Sequence, residues 1–396
     1  MTLPRIAQSP TDPAFVQNPY AFYERARALG RIVVWEDYAM PAVLSYAGVN
    51  AILRDRRFGR EVPAEKRQPV PAHQAPFYAV EAHSMLELEP PRHTRLRSLV
   101  LRAFTSRRIA ALAPEIAALS HGLIDRFPKD DFDLMPAFAR LIPVIVIARL
   151  LGVPESMAED LLGWSNAMVG MYQARRTRAM EDAAARAAGE FAAFLRSYVE
   201  DRRARPADDL ITHLIAAEAD GERLTTDELI TTCILLLNAG HEATVHSLGI
   251  AVKTLLEQKT PAAALAPDRV EATVEEVLRH DPPLHLFSRH AYADVEVMGH
   301  TFRKGEEVAL LLAAANRDPG MFEAPARFDP ARVAKPNLSF GAGLHFCVGA
   351  PLARLELATA LPILFARLPG LRLAAPPRYA DVYHFHGLSG LAVHPA

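Results

Sequence analysis

Between Thr105 and Gln258 the apolar residues recur at three- and four-residue intervals, the spacing that gathers them on one helical face. "RIAALAPEIAALSHGLIDRF", "EDAAARAAGEFAAFLRSYVEDRRA" and "DDLITHLIAAEA" carry it most clearly. "LIPVIVIARLLGV" is apolar nearly all round, as a buried helix is. Strand-like runs are few: "RIVVWEDYAMPAVLS" near the start, "VEVMGHTFRKGEEVALLL" late, and the tail "GLAVH". Proline and glycine crowd into residues 62–76 and 317–351, which read as loops. The pattern predicts a mainly α fold with small β-sheets at one side. There is no repeat, low-complexity tract or long linker, so residues 1–396 read as a single domain.

One segment departs from the ordinary. "LTTDELITTCILLLNAGHEATVHSLGIAVKTLLEQ" opens with a capping box, Thr225 at the N-cap and Glu228 three residues on, with Leu224 and Leu229 placed to staple it. No proline interrupts it before Pro261, so it predicts a helix of about thirty residues, roughly 45 Å long. Its middle is apolar enough to be buried, yet holds Asn238, Gly240, His241, Glu242 and Thr244. An acid and a glycine at the centre of a buried helix break local rules, and such breaks mark function.

Composition narrows the classes. The formal net charge of −2 gives no footprint for nucleic acid. Two cysteines, Cys233 and Cys347, exclude a disulfide scaffold and suit a reducing cytoplasm. The first residues, "MTLPRIAQSPTDPAF", lack the apolar core of a signal peptide. The apolar runs fall short of the ~20 residues of a membrane span, so no membrane association is expected.

The chemistry gathers at "FGAGLHFCVG", Phe340 to Gly349. Gly341 and Gly343 allow tight turns and close approach to a ligand. The helix that follows, "APLARLELATALPILFARL", has Leu357, Leu361, Leu364 and Leu368 on one face, with Pro362 placed to kink it. Cys347 thus precedes a helix N-terminus, whose partial positive charge favours a thiolate. A zinc site fails for want of a second cysteine, and a cysteine protease would need separate His and Asn partners. An inert buried cysteine is the plain alternative. Cys233 reads as packing, and His280, His285, His290, His384 and His386 form no spacing assignable to a metal.

"FGAGLHFCVGAPLARLEL" resembles the haem-binding loop of the cytochrome P450 haem-thiolate monooxygenases of the soluble bacterial type, and the likeness runs from "NPYAFYERARALG" to the tail. The resemblance implies the cytochrome P450 fold, with haem b between the long central helix and the cysteine-bearing loop and helix. Cys347 would be the axial thiolate, which pushes electron density onto iron and favours O–O cleavage. Phe340 would pack beside the sulfur, and N–H groups freed around Gly341 and Gly349 would tune its charge. The propionates would be met by His93 and Arg97 of "PPRHTRLR", Arg289 of "FSRH" and His345 of the haem loop. Glu276 and Arg279 of "EEVLRHDPP" share a helix face and would join Arg327 of "PARF" in a buried Arg–Glu–Arg set that holds one geometry behind Cys347.

On the oxygen side, "NAGHEAT" resembles the A-G-x-D/E-T motif. Gly240 would loosen the helix and Glu242 would feed protons. The usual threonine is replaced by Ala243. Thr244 does not substitute directly, because one residue rotates ~100° around the helix; it would back-bond to Gly240. His241 reads as a core neighbour of the acid, turned away from haem. Two readings stay open: a monooxygenase whose relay runs through water, a substrate hydroxyl or Thr244, and a peroxide-driven or non-oxygenase haem-thiolate protein that binds or senses a ligand.

By the same resemblance, substrate would lie among the 62–86 loop, the central helix, the segment after "HDPP" and the C-terminal turn. Phe77, Tyr78, Met85, Met168, Tyr172, Leu235, Ala239, Leu286, Phe287 and Phe385 would line an apolar, partly aromatic pocket for a small or medium hydrophobic molecule. No flavin or iron–sulfur domain is evident. O₂ would therefore be activated with electrons from a separate ferredoxin and its NAD(P)H reductase, docked on Arg102, Arg107, Arg108 and Arg354.

Overall fold

The computed structural model describes residues 2–173, 175–217, 221–383 and 385–395. Eight helices position the site: α1 (Ala75–Glu81), α2 (Arg92–Ala103), α3 (Leu141–Leu151), α4 (Ala158–Val169), α5 (Arg178–Ala204), α6 (Thr226–Glu257), α7 (Val270–His280) and α8 (Ala350–Arg367). The capping box forms as the sequence predicts: Thr225 Oγ1 accepts from the Glu228 N–H at 3.2 Å, and Glu228 Oε2 accepts from the Thr225 N–H at 2.9 Å. From this start α6 runs 32 residues, about 48 Å at 1.5 Å each. It crosses the middle of the fold against α3, α4, α5, α7 and α8, which is why its apolar residues need no single face.

The strands form one principal sheet: β1 (Arg5–Ile6), β2 (Ile32–Trp35), β3 (Met40–Val43), β4 (Phe58–Gly59), β5 (Leu286–Ala291) and β6 (Glu307–Leu311), ordered β1-β2-β3-β6-β5-β4. β5 pairs antiparallel with β6, setting Arg289 opposite Val308 and driving the guanidinium inward. The tail "GLAVH" enters a three-stranded sheet through Ala392–His394. The predicted helix at "RIAALAPEIAALSHGLIDRF" is two, Ser106–Ala111 and Ala113–Ile124, because Pro114 supplies a new first turn. Pro362 does not end α8, which continues to Arg367.

The scaffold behind the cysteine loop departs from the expectation at one residue. Glu276 and Arg279, both buried on α7, pair through Nε–Oε2 at 2.7 Å and Nη2–Oε1 at 2.8 Å. Arg279 also donates to the carbonyls of Asn316, Pro325 and Arg327, tying α7 to the following loop. The second cation on Glu276 is Arg332, with Nε 3.2 Å from both carboxylate oxygens, and not Arg327. The Arg327 carbonyl faces inward to both arginines, and its side chain points out, 72% exposed, near Asp329. The turn places Arg332 over Glu276 because the Asp329 N–H is itself bonded to Glu276 Oε1 at 2.9 Å.

Candidate active site

The cysteine loop is shaped by glycines with positive φ. Gly343 has φ +70°, and a Cβ there would lie 2.2 Å from the Leu53 carbonyl, so the close approach demands glycine. Gly341, at φ +69°, lies against Phe287. The loop returns on itself through the Cys347 N–H, which donates to the Phe340 carbonyl at 3.1 Å. Arg354 stacks over the Phe340 ring at 4.5 Å and pairs with Glu275. Burial pushes the Cys347 thiol above its ordinary pKa, while the Gly349 and Ala350 N–H groups, Arg97 and Arg354 pull it down. Helix placement alone therefore does not yield a thiolate; a bound metal ion would.

Cys347 is deep in the protein yet keeps accessible surface, so it opens onto internal space. The same holds for Ala239: it is open in the middle of a largely buried helix, between buried Asn238 and part-open Gly240. Ala243 lies one turn further on the same face, part-open, with Leu235 one turn before. His241 and Thr244 are buried on other faces. Thr244 Oγ1 donates to the Gly240 carbonyl at 3.0 Å, so its hydroxyl is engaged within the helix, and Ser247 Oγ does the same to Ala243 at 2.8 Å. Such back-bonds loosen and bend a helix.

Glu242 sits between two imidazoles. His246 Nε2 is hydrogen-bonded to Oε1 at 3.3 Å, and His241 Nε2 lies 3.3 Å from Oε2 outside hydrogen-bond geometry. Burial alone would raise the carboxyl's pKa; His241 and His246 instead hold it well below the usual range. His241 is otherwise a core residue, with Nδ1 on the Leu237 carbonyl at 3.1 Å.

The predicted cations converge beside the cysteine loop. The His93 and His345 rings meet at a tilt of 52° with centroids 4.5 Å apart. His345 Nε2 meets Glu89 Oε1 at 2.9 Å, and Arg97 donates to the Phe346 carbonyl at 2.7 Å. Arg289 is 2% exposed, bonded to the Ser288 carbonyl, and forms no ion pair within 4 Å among the described residues; burial, then Arg60, push its pKa down to about 9. His93 Nδ1 is buried without a partner. Buried cations without anions are costly. Two carboxylates at this edge would satisfy them, so the residues fit a dicarboxylate group such as haem, with Cys347 as its soft sulfur ligand.

The pocket residues divide. Ala239 and Leu235 open inward as described; Leu286, Phe287 and Phe385 are half-buried, and Tyr78 is exposed. Phe77, Met85 and Met168 are closed into the core, and Asn238 Nδ2 points at Met168 Sδ, 3.7 Å away. Tyr172 donates to Glu81 Oε2 at 3.2 Å. Of the docking arginines, Arg102 and Arg108 border a surface depression with His213.

Two features escaped the sequence reading. Glu356 on α8 is buried with neither carboxyl oxygen bonded among the described residues, and burial raises its pKa well above the ordinary carboxyl range. Its only signal was an acid inside an apolar run. His285 and His386, which no spacing linked, meet around Asp281, with ligand atoms all within 4.8 Å. Tyr20, Tyr379 and Lys253 already satisfy that carboxylate. His384 lies outside the described residues.

A long buried helix with a central acid, a glycine-shaped cysteine loop and two arginines, Arg97 and Arg289, with no carboxylate partner among the described residues together define a haem-thiolate protein. Comparison with known proteins agrees. The family description "Cytochrome P450" matches residues 269–368. The chain is 35% identical to the biotin biosynthesis cytochrome P450 of Bacillus subtilis, covering 98% of this chain and 99% of that protein. It is 38% identical to the vitamin D(3) 25-hydroxylase of Pseudonocardia autotrophica, covering 91% and 89%. A crystal structure of P450BioI in complex with a hexadec-9Z-enoic acid ligated acyl carrier protein superposes with a TM-score of 0.91 at 35% identity, covering 96% of this chain and 98% of that one. The chain belongs to the cytochrome P450 family. It is an oxidoreductase of the monooxygenase class whose cofactor is haem b with a cysteine thiolate ligand. No helix among the described residues is long and apolar enough to cross a membrane.

Proposed function

We propose that this enzyme inserts one atom of O₂ into a C–H bond or double bond of a small or medium hydrophobic molecule. Cys347 would hold the haem iron, and Arg97, Arg289, His93 and His345 its propionates. Haem, when bound, supplies the O₂ activation. What this chain adds is apolar surface around Ala239 and Leu235 that excludes water, and a carboxylate, Glu242, that stays ionised at rest and, with His246, can relay protons beside it. The single observation that carries this reading is Glu242 clamped between His241 and His246 on a helix face shared with no other acid in its middle. A protein that only bound or sensed a ligand would have no use for an acid paired with imidazoles there. Electrons come from a separate ferredoxin and its NAD(P)H reductase, docked on the face of Arg102, Arg107 and Arg108, and the site of action is the cytoplasm. Residues 1–396 serve as one P450 unit.

The test is NADH-dependent product formation with surrogate ferredoxin and reductase, across hydrophobic compounds first selected for a spin-state change on binding. Binding without any product would overturn the monooxygenase reading in favour of a ligand-binding haem protein. The missing threonine gives a second measurement. Thr244 is committed to Gly240, so a hydroxyl restored at Ala243, on the open face, is expected to change the fraction of NADH electrons recovered in product by several-fold, on the scale of one positioned proton donor. Equal coupling in Ala243→Thr and the parent protein would remove this position from the proton path.

A further inference from the structure

A carboxyl in the roof of the fold is unaccounted for by haem binding or proton supply. Glu81 ends α1, which packs on α5 and α6. Thr231 Oγ1 donates to the neighbouring Val80 carbonyl at 3.1 Å, pinning this end of α1 to α6 eight residues, about 12 Å, before Ala239. Tyr172, in the turn between α4 and α5, reaches across to bond Glu81. Both side chains lie deep in the protein yet keep part of their surface open, as Cys347 and Ala239 do.

The charges around Glu81 do not balance. Glu87 follows on the loop after α1, and Arg60, just past β4, is its ion-pair partner at 2.5 Å. Glu89 of that loop is matched by His345 and by the Arg60 N–H. Arg289 and Arg97 are spoken for by the propionates in the reading above. Among the described residues Glu81 is left with a neutral phenol as its hydrogen-bond partner and the Glu87-paired Arg60 to offset its charge.

We propose that Glu81 is the polar anchor of the substrate pocket and selects hydrophobic molecules that carry a basic amine. This rests on the reading of the internal space as the substrate site of a monooxygenase. A cation placed beside Glu81 restores local neutrality, and Tyr172 orients the carboxylate toward it. Once Glu81 is ionised, an anionic substrate would meet Glu81 and Glu87 with only a paired guanidinium to receive it, and a neutral one would gain no charge pairing from either acid. Consistent with an enclosed carboxyl lacking a counter-ion, burial and then Glu87 push the Glu81 pKa up to about 8, against Tyr172 and Arg60. The free enzyme therefore keeps a proton on Glu81 at neutral pH, and a bound cation displaces it. Among the described residues, the groups acting on Glu81 are Tyr172, Glu87 and Arg60. Burial holds the phenol well above its ordinary range, and Glu87 keeps Arg60 charged, so neither titrates near neutrality.

The experiment uses the haem-loaded enzyme and three probes with one apolar tail: dodecyltrimethylammonium, 1-dodecanol and dodecanoate, below their micelle concentrations. The quaternary cation cannot ligate iron and carries the same charge at every pH. Binding is read by titration calorimetry together with the spin-state change. The cation is expected to bind about tenfold or more tighter than the alcohol above pH 8, a preference that shrinks up to tenfold per pH unit below it, with dodecanoate weakest. Glu81→Gln is expected to reduce the preference to near one and flatten its pH dependence, with the carbon-monoxide band and dodecanol affinity retained. A cation-to-alcohol ratio near one in the parent protein, a preference for dodecanoate, or a preference unchanged in Glu81→Gln would each overturn the anchor. The parent protein's pH series stands whether or not that variant folds. If dodecanol binds and shifts the spin state while the cation shows no advantage, the anchor falls and the pocket stands. If none of the three shifts the spin state, the pocket reading falls with it.

Discussion

Replacing Cys347 by alanine is expected to abolish the red-shifted Soret band of the reduced, carbon-monoxide-bound protein and all monooxygenase turnover. The sulfur is the one soft ligand open to the interior, because Cys233 is fully buried against the core and burial drives its thiol up to about 12. No second thiolate can take its place. The loop itself should survive the change. Its return is made by the Cys347 N–H to the Phe340 carbonyl and its turn by Gly343, and neither needs sulfur. Circular dichroism of the variant should therefore match the parent's, while the melting temperature falls by whatever stabilisation haem gave, since a group that binds only the folded state adds RT ln(1 + [L]/Kd). A Soret band unchanged in the variant would show that some other residue holds the iron, and the account of the site would be wrong at its centre.

Replacing Glu276 by alanine is expected to destabilise the fold by about 3–5 kcal/mol, the cost of stripping a buried ionic set of one partner. Arg279 and Arg332 would be left facing each other without an anion, one almost fully buried and the other largely so. The set also joins α7 to the loop that leads into the cysteine turn: Arg279 and Arg332 hold four of its carbonyls, and Glu276 holds the Asp329 N–H. Loss should appear as a lower urea midpoint and as faster haem release, measured by transfer to apomyoglobin. The contrast that identifies the third member is Arg327→Ala against Arg332→Ala. The first removes an exposed side chain and should change stability by no more than about 0.5 kcal/mol; the second breaks a buried pair and should approach the Glu276 value. Equal effects from the two arginines would contradict the geometry.

Local signals carried far in this chain. Period, length and capping residues set the bounds of α6, because a capping box closes over four residues and an apolar period is a property of the strand or helix itself. The cysteine loop was legible for the same reason: its glycines, its cysteine and the first turn of α8 act on each other within a dozen residues. Thr244 bonded to Gly240 follows from helix geometry alone. What stayed hidden was every feature made by residues far apart in sequence. Which arginine meets Glu276 depends on how a loop fifty residues later turns, and inward carbonyl and outward side chain at Arg327 cannot be read from "PARF". The meeting of His285 and His386 at Asp281, and of Glu81 with Tyr172 across the roof, are likewise tertiary events.

The amino-acid sequence by itself determined the elements, the sulfur that can bind iron and the acid beside it, since each rests on short-range spacing and side-chain type. Only the tertiary structure decided which buried charges are compensated and which are left over, because a charge inside a protein takes its meaning from neighbours that the chain delivers from elsewhere.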